Sequence, residues 1–189
     1  MHVVVEQYQT LWPEQFLLIK AKLEQVLKPV QYDAIEHVGS TSVPGLAAKP
    51  VIDIDIVVQQ QDLLSAIEAL KAADYQYLGD KGIPDRYAFK APEAYPAQNI
   101  YICVDGCQAL KNHLLVRDVC RQNEGIRERY GRTKLELSKQ EWTSVDHYCE
   151  AKNEILQEVL NLGGMVPAET TQIRAMNIVA NQNPGICRR

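Results

Sequence analysis

The sequence predicts an α+β domain, a mixed β-sheet flanked by helices, with a helical C-terminal half. Two runs rich in β-branched residues, Val51–Val58 and Ile100–Val104, read as buried strands. Beyond the turn dipeptide Asp105-Gly106 the apolar period becomes helical and stays so to about residue 163. A length of 189 residues suits one domain, so 1–163 are assigned to it and 164–189 to a C-terminal extension or tail.

The elements follow in order. Phe16, Ile19, Leu23, Val26 and Leu27 keep helical spacing between Pro13, which suits a first turn, and Pro29, which stops a helix. Residues 32–38 read as a short strand ending at Gly39. The small residues from Ser40 to Leu46 read as a loop leading into a short helix. Leu63, Leu64, Ile67 and Leu70 mark a second helix with Asp62 as its cap. Gly79, Gly82 and Pro84 between aromatic stretches predict a strand pair over 75–90. Leu110, Leu114 and Val119 mark a third helix. Ser138-Lys139-Gln140-Glu141 reads as a capping box opening one long helix that ends at Gly163-Gly164. An extra helix around 168–180, or a tail, completes the chain.

Composition narrows the function. With 46% hydrophobic and 23% charged residues the chain is globular, and a net charge of −4 makes direct nucleic-acid binding an unpromising role. Five cysteines, an odd number without a Cys-x-x-Cys pair, read as reduced thiols. The start Met1-His2-Val3-Val4-Val5-Glu6 lacks the pattern of a secretory signal, and no apolar run approaches the roughly 20 residues that span a bilayer. These features predict a cytoplasmic protein with no membrane partner.

The chemistry is carried by two segments in tandem. Asp53 and Asp55 are two apart in a strand, so both carboxylates project from one face while Ile52, Ile54 and Ile56 project from the other. Paired carboxylates beside a core repel each other and are costly to bury, and a divalent cation relieves both problems. Magnesium accepts a few carboxylates and completes its octahedron with water and substrate phosphates. Gly39-Ser40, upstream, allows close backbone approach to a phosphate, and the hydroxyls of Ser40 and Ser42 add donors. The pairing points to a nucleotidyltransferase-type site: a loop for a triphosphate, a strand for Mg2+, and in-line attack on the α-phosphorus. A Gly-Ser pair alone is only a turn, and the specificity lies in the ordered combination.

Other residues are candidates with bland alternatives. Arg86, after a Gly-Ile-Pro loop, suits a phosphate clamp or is a solvated loop arginine. Lys152, four residues after Tyr148, and Lys49, just ahead of the Asp strand, reach a triphosphate or lie on the surface. His37 contacts substrate or is a satisfied structural histidine. His113 and His147 lie on helices that could face the cleft, and their spacing with Cys103 and Cys107 is not a zinc pattern. Arg117-Asp118 reads as a pair that positions a helix.

The segment His37-Val38-Gly39-Ser40-Thr41-Ser42-Val43-Pro44-Gly45-Leu46-Ala47-Ala48-Lys49-Pro50-Val51-Ile52-Asp53-Ile54 closely resembles the signature of the GrpB-type family, within the polymerase-beta-like nucleotidyltransferase superfamily. The resemblance continues in Gly82–Arg86, Asn99–Cys103, Leu115–Asp118 and Tyr148 with Lys152, and spans about residues 10–162. It implies a nucleotidyltransferase-like fold with a central mixed sheet, and it supplies no firm substrate. The superfamily's third carboxylate on a neighbouring strand is missing here, where Asn99, Tyr101 and Cys103 stand, with Asp105 only at the strand's end. Three functions are therefore expected in competition. The first is a magnesium-dependent transferase moving a nucleoside monophosphate from an NTP to an unknown small-molecule or protein acceptor. The second is an inactive nucleotide-binding module of the same fold. The third is an antitoxin-like interaction partner.

Overall fold

The computed structural model describes residues 2–92, 95–143, 145–165 and 171. The expected helix 168–180, Cys187 and most of the 164–189 extension lie outside these residues. Helix α1 (Leu11–Val26) is followed by β1 (Ala34–Val38), a 3-10 turn at Ser40–Ser42, β2 (Ile52–Val58), α2 (Leu63–Ala72), β3 (Gln76–Tyr77), β4 (Arg86–Lys90) and β5 (Gln98–Val104). Four helices complete the described chain: α3 (Gln108–Gln122), α4 (Glu124–Ser138), α5 (Val145–Ala151) and α6 (Asn153–Leu162).

The strands form one mixed sheet in the order β1-β2-β5-β4-β3. Only β2 and β5 run parallel, and α2 and the β3–β4 hairpin make the crossover between them. Parallel neighbours at the centre are covered on both faces, and both strands are largely buried, with the carboxylates of β2 interrupting their apolar character.

One face belongs to the core. Ile52, Ile54 and Ile56 pack with Ile100 and Ile102 against Ile19 and Leu23 of α1 and Leu70 of α2. Burying each of these side chains fully contributes about 1.5–3 kcal/mol. The other face, bearing Asp53 and Asp55, meets two smaller clusters. One joins Val57 and Cys103 to Cys107 and Leu110 of α3, and the other joins Val43 and Leu46 to Ile126 and Tyr130 of α4 and Val159 of α6.

The long helix expected from Ser138 does not exist. Ser138 is the last residue of α4, and its hydroxyl donates back to the Leu135 carbonyl at 2.8 Å. A hydroxyl so engaged cannot cap a helix ahead of it. The Trp142 indole N–H then donates to the Leu137 carbonyl at 2.8 Å, which also accepts from the Gln140 amide at 3.2 Å, and the chain is folded back on the end of α4. A further break at Lys152 separates α5 from α6. The start of α4 has a recognisable cap in Asn123, whose side-chain oxygen accepts from the Ile126 amide at 3.1 Å. Asp62 stands at the N-terminus of α2 as expected, but its side chain makes no capping bond.

Candidate active site

The carboxylate pair is built by β2 and its neighbours. Register pairs Val38 and Asn99 with Asp53, and Glu36 and Tyr101 with Asp55, so these side chains share one face. Asn99 Nδ2 donates to Asp53 Oδ1 at 2.7 Å. Asp55 is fully buried, and its Oδ2 lies 2.7 Å from His113 Nδ1 on α3. The other oxygen, Asp55 Oδ1, is buried with no hydrogen-bond partner among the described residues. Burial raises the pKa of Asp53, the Asn99 hydrogen bond and His113 oppose it, and the charge of Asp55 adds to the rise. At His113 burial pulls the pKa down, but the charge and hydrogen bond of Asp55 outweigh it and the net shift is upward.

Gly39 is required by the carboxylate beside it. Its φ is +68°, and a Cβ there would stand 2.2 Å from Asp53 Oδ2. Both the left-handed backbone and the contact exclude a side chain. The loop beyond is held from several sides. Thr41 Oγ1 donates to the Val51 carbonyl at 3.1 Å, so its only proton is committed and His37 Nε2, also at 3.1 Å, must be the donor to it. His37 projects to the core face and stacks on Phe16 with ring centroids 4.7 Å apart. Burial, with Arg121 and Arg117 adding to it, lowers its pKa to about 4. It is a structural histidine holding the loop. Ser42 was expected to offer its hydroxyl to a phosphate. Instead it is buried and donates to the Gly39 carbonyl at 2.6 Å. Ser40 is half-buried and shares a side-chain hydrogen bond with Tyr130.

Helix α3 lays a stripe of basic residues, one turn apart, across this face. His113 meets Asp55. Arg117 Nη1 donates to Glu36 Oε2 at 2.6 Å and to the His37 carbonyl at 3.3 Å, while its Nε donates to Asp118 at 2.7 Å. Arg121 donates twice to the Ser42 carbonyl, at 3.1 and 2.8 Å. The expected helix-positioning pair is thus real, and it fastens α3 to β1. The spacing His-x3-Arg-x3-Arg was visible in the sequence as the signal for it.

The four remaining cations come from four elements. Arg86 opens β4, is buried, and carries its guanidinium 4.5 Å from the centre of the Tyr101 ring, with Nε lacking a hydrogen-bond partner among the described residues. Lys152 Nζ lies 4.5 Å from the Tyr148 ring, and its charge reaches Asp53. Lys49 stands half-buried in the connector to β2. Sequence reasoning missed Lys134 altogether. It is 2% exposed, its Nζ lies 4.1 Å from the Tyr130 ring, and it has no hydrogen-bond partner among the described residues. Burial drives its pKa well down and Lys152 adds to the effect.

A profile of the family described as "GrpB protein" matches residues 2–162. The chain belongs to the GrpB family. It is 36% identical over 166 residues to a UPF0157 protein of Halalkalibacterium halodurans, covering 84% of this chain and 80% of that one. The crystal structure of the conserved protein GrpB from Enterococcus faecalis superposes with a TM-score of 0.72 and 31% identity, over 84% of this chain and 98% of the other. The structure of Cid1 in complex with its short product ApU gives a TM-score of 0.51 at 17% identity, over 71% of this chain and 43% of that one. At that distance the likeness concerns the fold, which is that of the nucleotidyltransferases. The GrpB resemblance, the mixed sheet and the flanking helices expected from the sequence are therefore all present. No helix among the described residues is long and apolar enough to cross a membrane.

The GrpB carboxylates suit one kind of metal. No group of three or more His, Cys, Asp or Glu side chains among the described residues is placed to hold an ion. Two strand carboxylates, one with a buried oxygen that nothing satisfies, form a hard oxygen donor set that fits magnesium completed by substrate phosphates.

Proposed function

We propose that this GrpB-family chain binds a nucleoside triphosphate with Mg2+ and transfers its nucleoside monophosphate to an acceptor. The observation that carries the reading is the pairing of Asp53, which lies against Gly39, and Asp55 with a lysine, Lys134, buried nearby without a hydrogen-bond partner among the described residues. A buried amine with no acceptor costs about 1–3 kcal/mol unless a ligand supplies one. An anion entering between it and the carboxylates would meet that need.

Asp53 and Asp55 would hold the metal, which when bound supplies electrostatic stabilisation of the reacting phosphate and the departing pyrophosphate. Lys134, Lys152 and Arg86 would orient the phosphate chain as fixed cations, with Lys49 approaching from the connector. Gly39 admits the chain close to the backbone, and Ser40, already tied to Tyr130, would shape the loop side. Ser42 serves here by rigidifying the loop through Gly39.

A binding module without turnover is the second reading, and Asn99 favours it. This amide occupies the position beside Asp53 where the superfamily's third carboxylate is expected, and it cannot take a proton from an acceptor. Glu36, the other carboxylate of the face, is fastened to Arg117.

Calorimetric titration with each NTP, with and without magnesium, tests the site. Binding should require magnesium and vanish in Asp53→Asn and Asp55→Asn. Unchanged binding in both variants would sink the reading. Incubation with α-labelled NTP and magnesium separates transferase from module: label appearing on an acceptor, and lost with either aspartate, excludes the module.

A further inference from the structure

Beside the carboxylates a cleft of about 120 Å³ opens between α3 and α6, bordered by Gly39 and His113. Its volume is well below the roughly 300–1,000 Å³ of pockets that take a whole drug-sized ligand, so it fits one part of a molecule. Val116, Leu156 and Leu160 form its apolar walls, and Asn112 and Gln157 contribute the amides. No lysine or arginine among the described residues lines it. The cations that suit phosphates, Lys134, Lys152 and Arg86, lie elsewhere around the site, and the one titratable group at the cleft, His113, is held by Asp55.

These features select a ligand by exclusion and by match. An anion would find no counter-charge. A saturated chain would leave the Asn112 amide poorly used. A flat uncharged heterocycle puts its faces against Val116, Leu156 and Leu160 and its polar edge against the amides. An amide carries a donor and an acceptor side by side, as does the adenine edge that asparagine and glutamine bind in a bidentate manner.

We infer that this cleft is a nucleobase pocket, in which Asn112 and Gln157 read the edge of a ring, adenine best, whose phosphates extend past Gly39 toward Asp53. The assignment rests on the nucleotide reading above and deepens it. The ring belongs either to the triphosphate or to a nucleoside-containing acceptor, and the chemistry of the pocket is the same.

Three probes, each with magnesium, decide the matter: tripolyphosphate, ATP and adenosine, titrated into the wild type, Asn112→Ala and Gln157→Ala. ATP should bind on the order of tenfold more tightly than tripolyphosphate. Each variant should lose most of that margin while its affinity for tripolyphosphate stays unchanged. Alanine favours a helix, so both variants should fold, and a thermal melt verifies it. Equal affinity for ATP and tripolyphosphate, or variants that weaken both alike, overturns the pocket and leaves the triphosphate site standing. Failure of all three probes to bind overturns both. Adenosine that displaces ATP places the ring on the triphosphate. Adenosine that binds beside ATP, and is lost in the variants, places it on the acceptor.

Discussion

Lys134 lifts its amine into a space where no side chain or carbonyl among the described residues bonds it, and burial opposes its charge. Such a residue costs the fold something and needs a ligand to justify it. Lys134→Met keeps the length of the side chain and removes the unsatisfied group. The variant should be more stable than the wild type by about 1–3 kcal/mol, measured by urea denaturation, and should bind magnesium-ATP more weakly. Loss of stability on this substitution would show that the amine is satisfied after all. His37 makes the opposite kind of contribution. Its pKa falls from 6.5 to about 4 in the folded protein, so below pH 6.5 the unfolded chain binds the proton more readily. Stability should therefore drop as pH falls from 6.5 toward 4, by about 3 kcal/mol from this group. His37→Gln retains a donor for Thr41 without titrating, and its denaturation midpoints at pH 7 and 4.5 should lie closer together than those of the wild type.

At the scale of elements, α3 connects site and sheet. Arg117→Ala releases the bond between that helix and Glu36 of β1. The expected cost is about 2 kcal/mol, most of it from the Glu36 contact, because Asp118 is 44% exposed and its pair is worth little. Arg117→Lys should recover only part of it, since a single ammonium cannot reach Glu36, Asp118 and the His37 carbonyl in one geometry. Chemical denaturation of the two variants measures both effects. The elements also explain what could be read in the chain beforehand. β2 was legible because apolar residues and carboxylates alternate with period two; Gly39 stood out as part of a Gly-Ser turn, but the reason it must be glycine, a left-handed backbone pressed against Asp53, is made in space and was not legible. The breaks between α4, α5 and α6 were hidden, because apolar residues continue across them at helical spacing and the deciding contacts, Ser138 to Leu135 and Trp142 to Leu137, are made by side chains. Lys134 was hidden for another reason. A lysine in a polar helix reads as solvated, and its burial depends on how α4, which also carries Tyr130, packs beneath Ser40.

Across the whole molecule, cohesion and chemistry occupy opposite faces of one sheet. The larger apolar cluster lies under α1 and α2, and the carboxylates look toward α3, α4 and α6 through two smaller ones. Everything named in the site lies within residues 36–160, and the family match ends at 162. A chain ending at residue 165 should therefore fold with an unchanged melting temperature and bind magnesium-ATP as the full chain does. A truncated protein that folds but no longer binds would assign the last residues a part in the site.

Three contacts of α3 stand at positions 113, 117 and 121, each one helical turn beyond the last, and each has its own fixed counterpart in Asp55, Glu36 and the Ser42 carbonyl. A helix turns by about 100° per residue. One residue inserted between His113 and Arg121 would swing every later contact off the sheet, and one deleted would do the same in the other direction. The segment thus behaves as a ruler that tolerates substitution but not a change of length. Among GrpB sequences, gaps should gather in the connectors and be missing from this stretch.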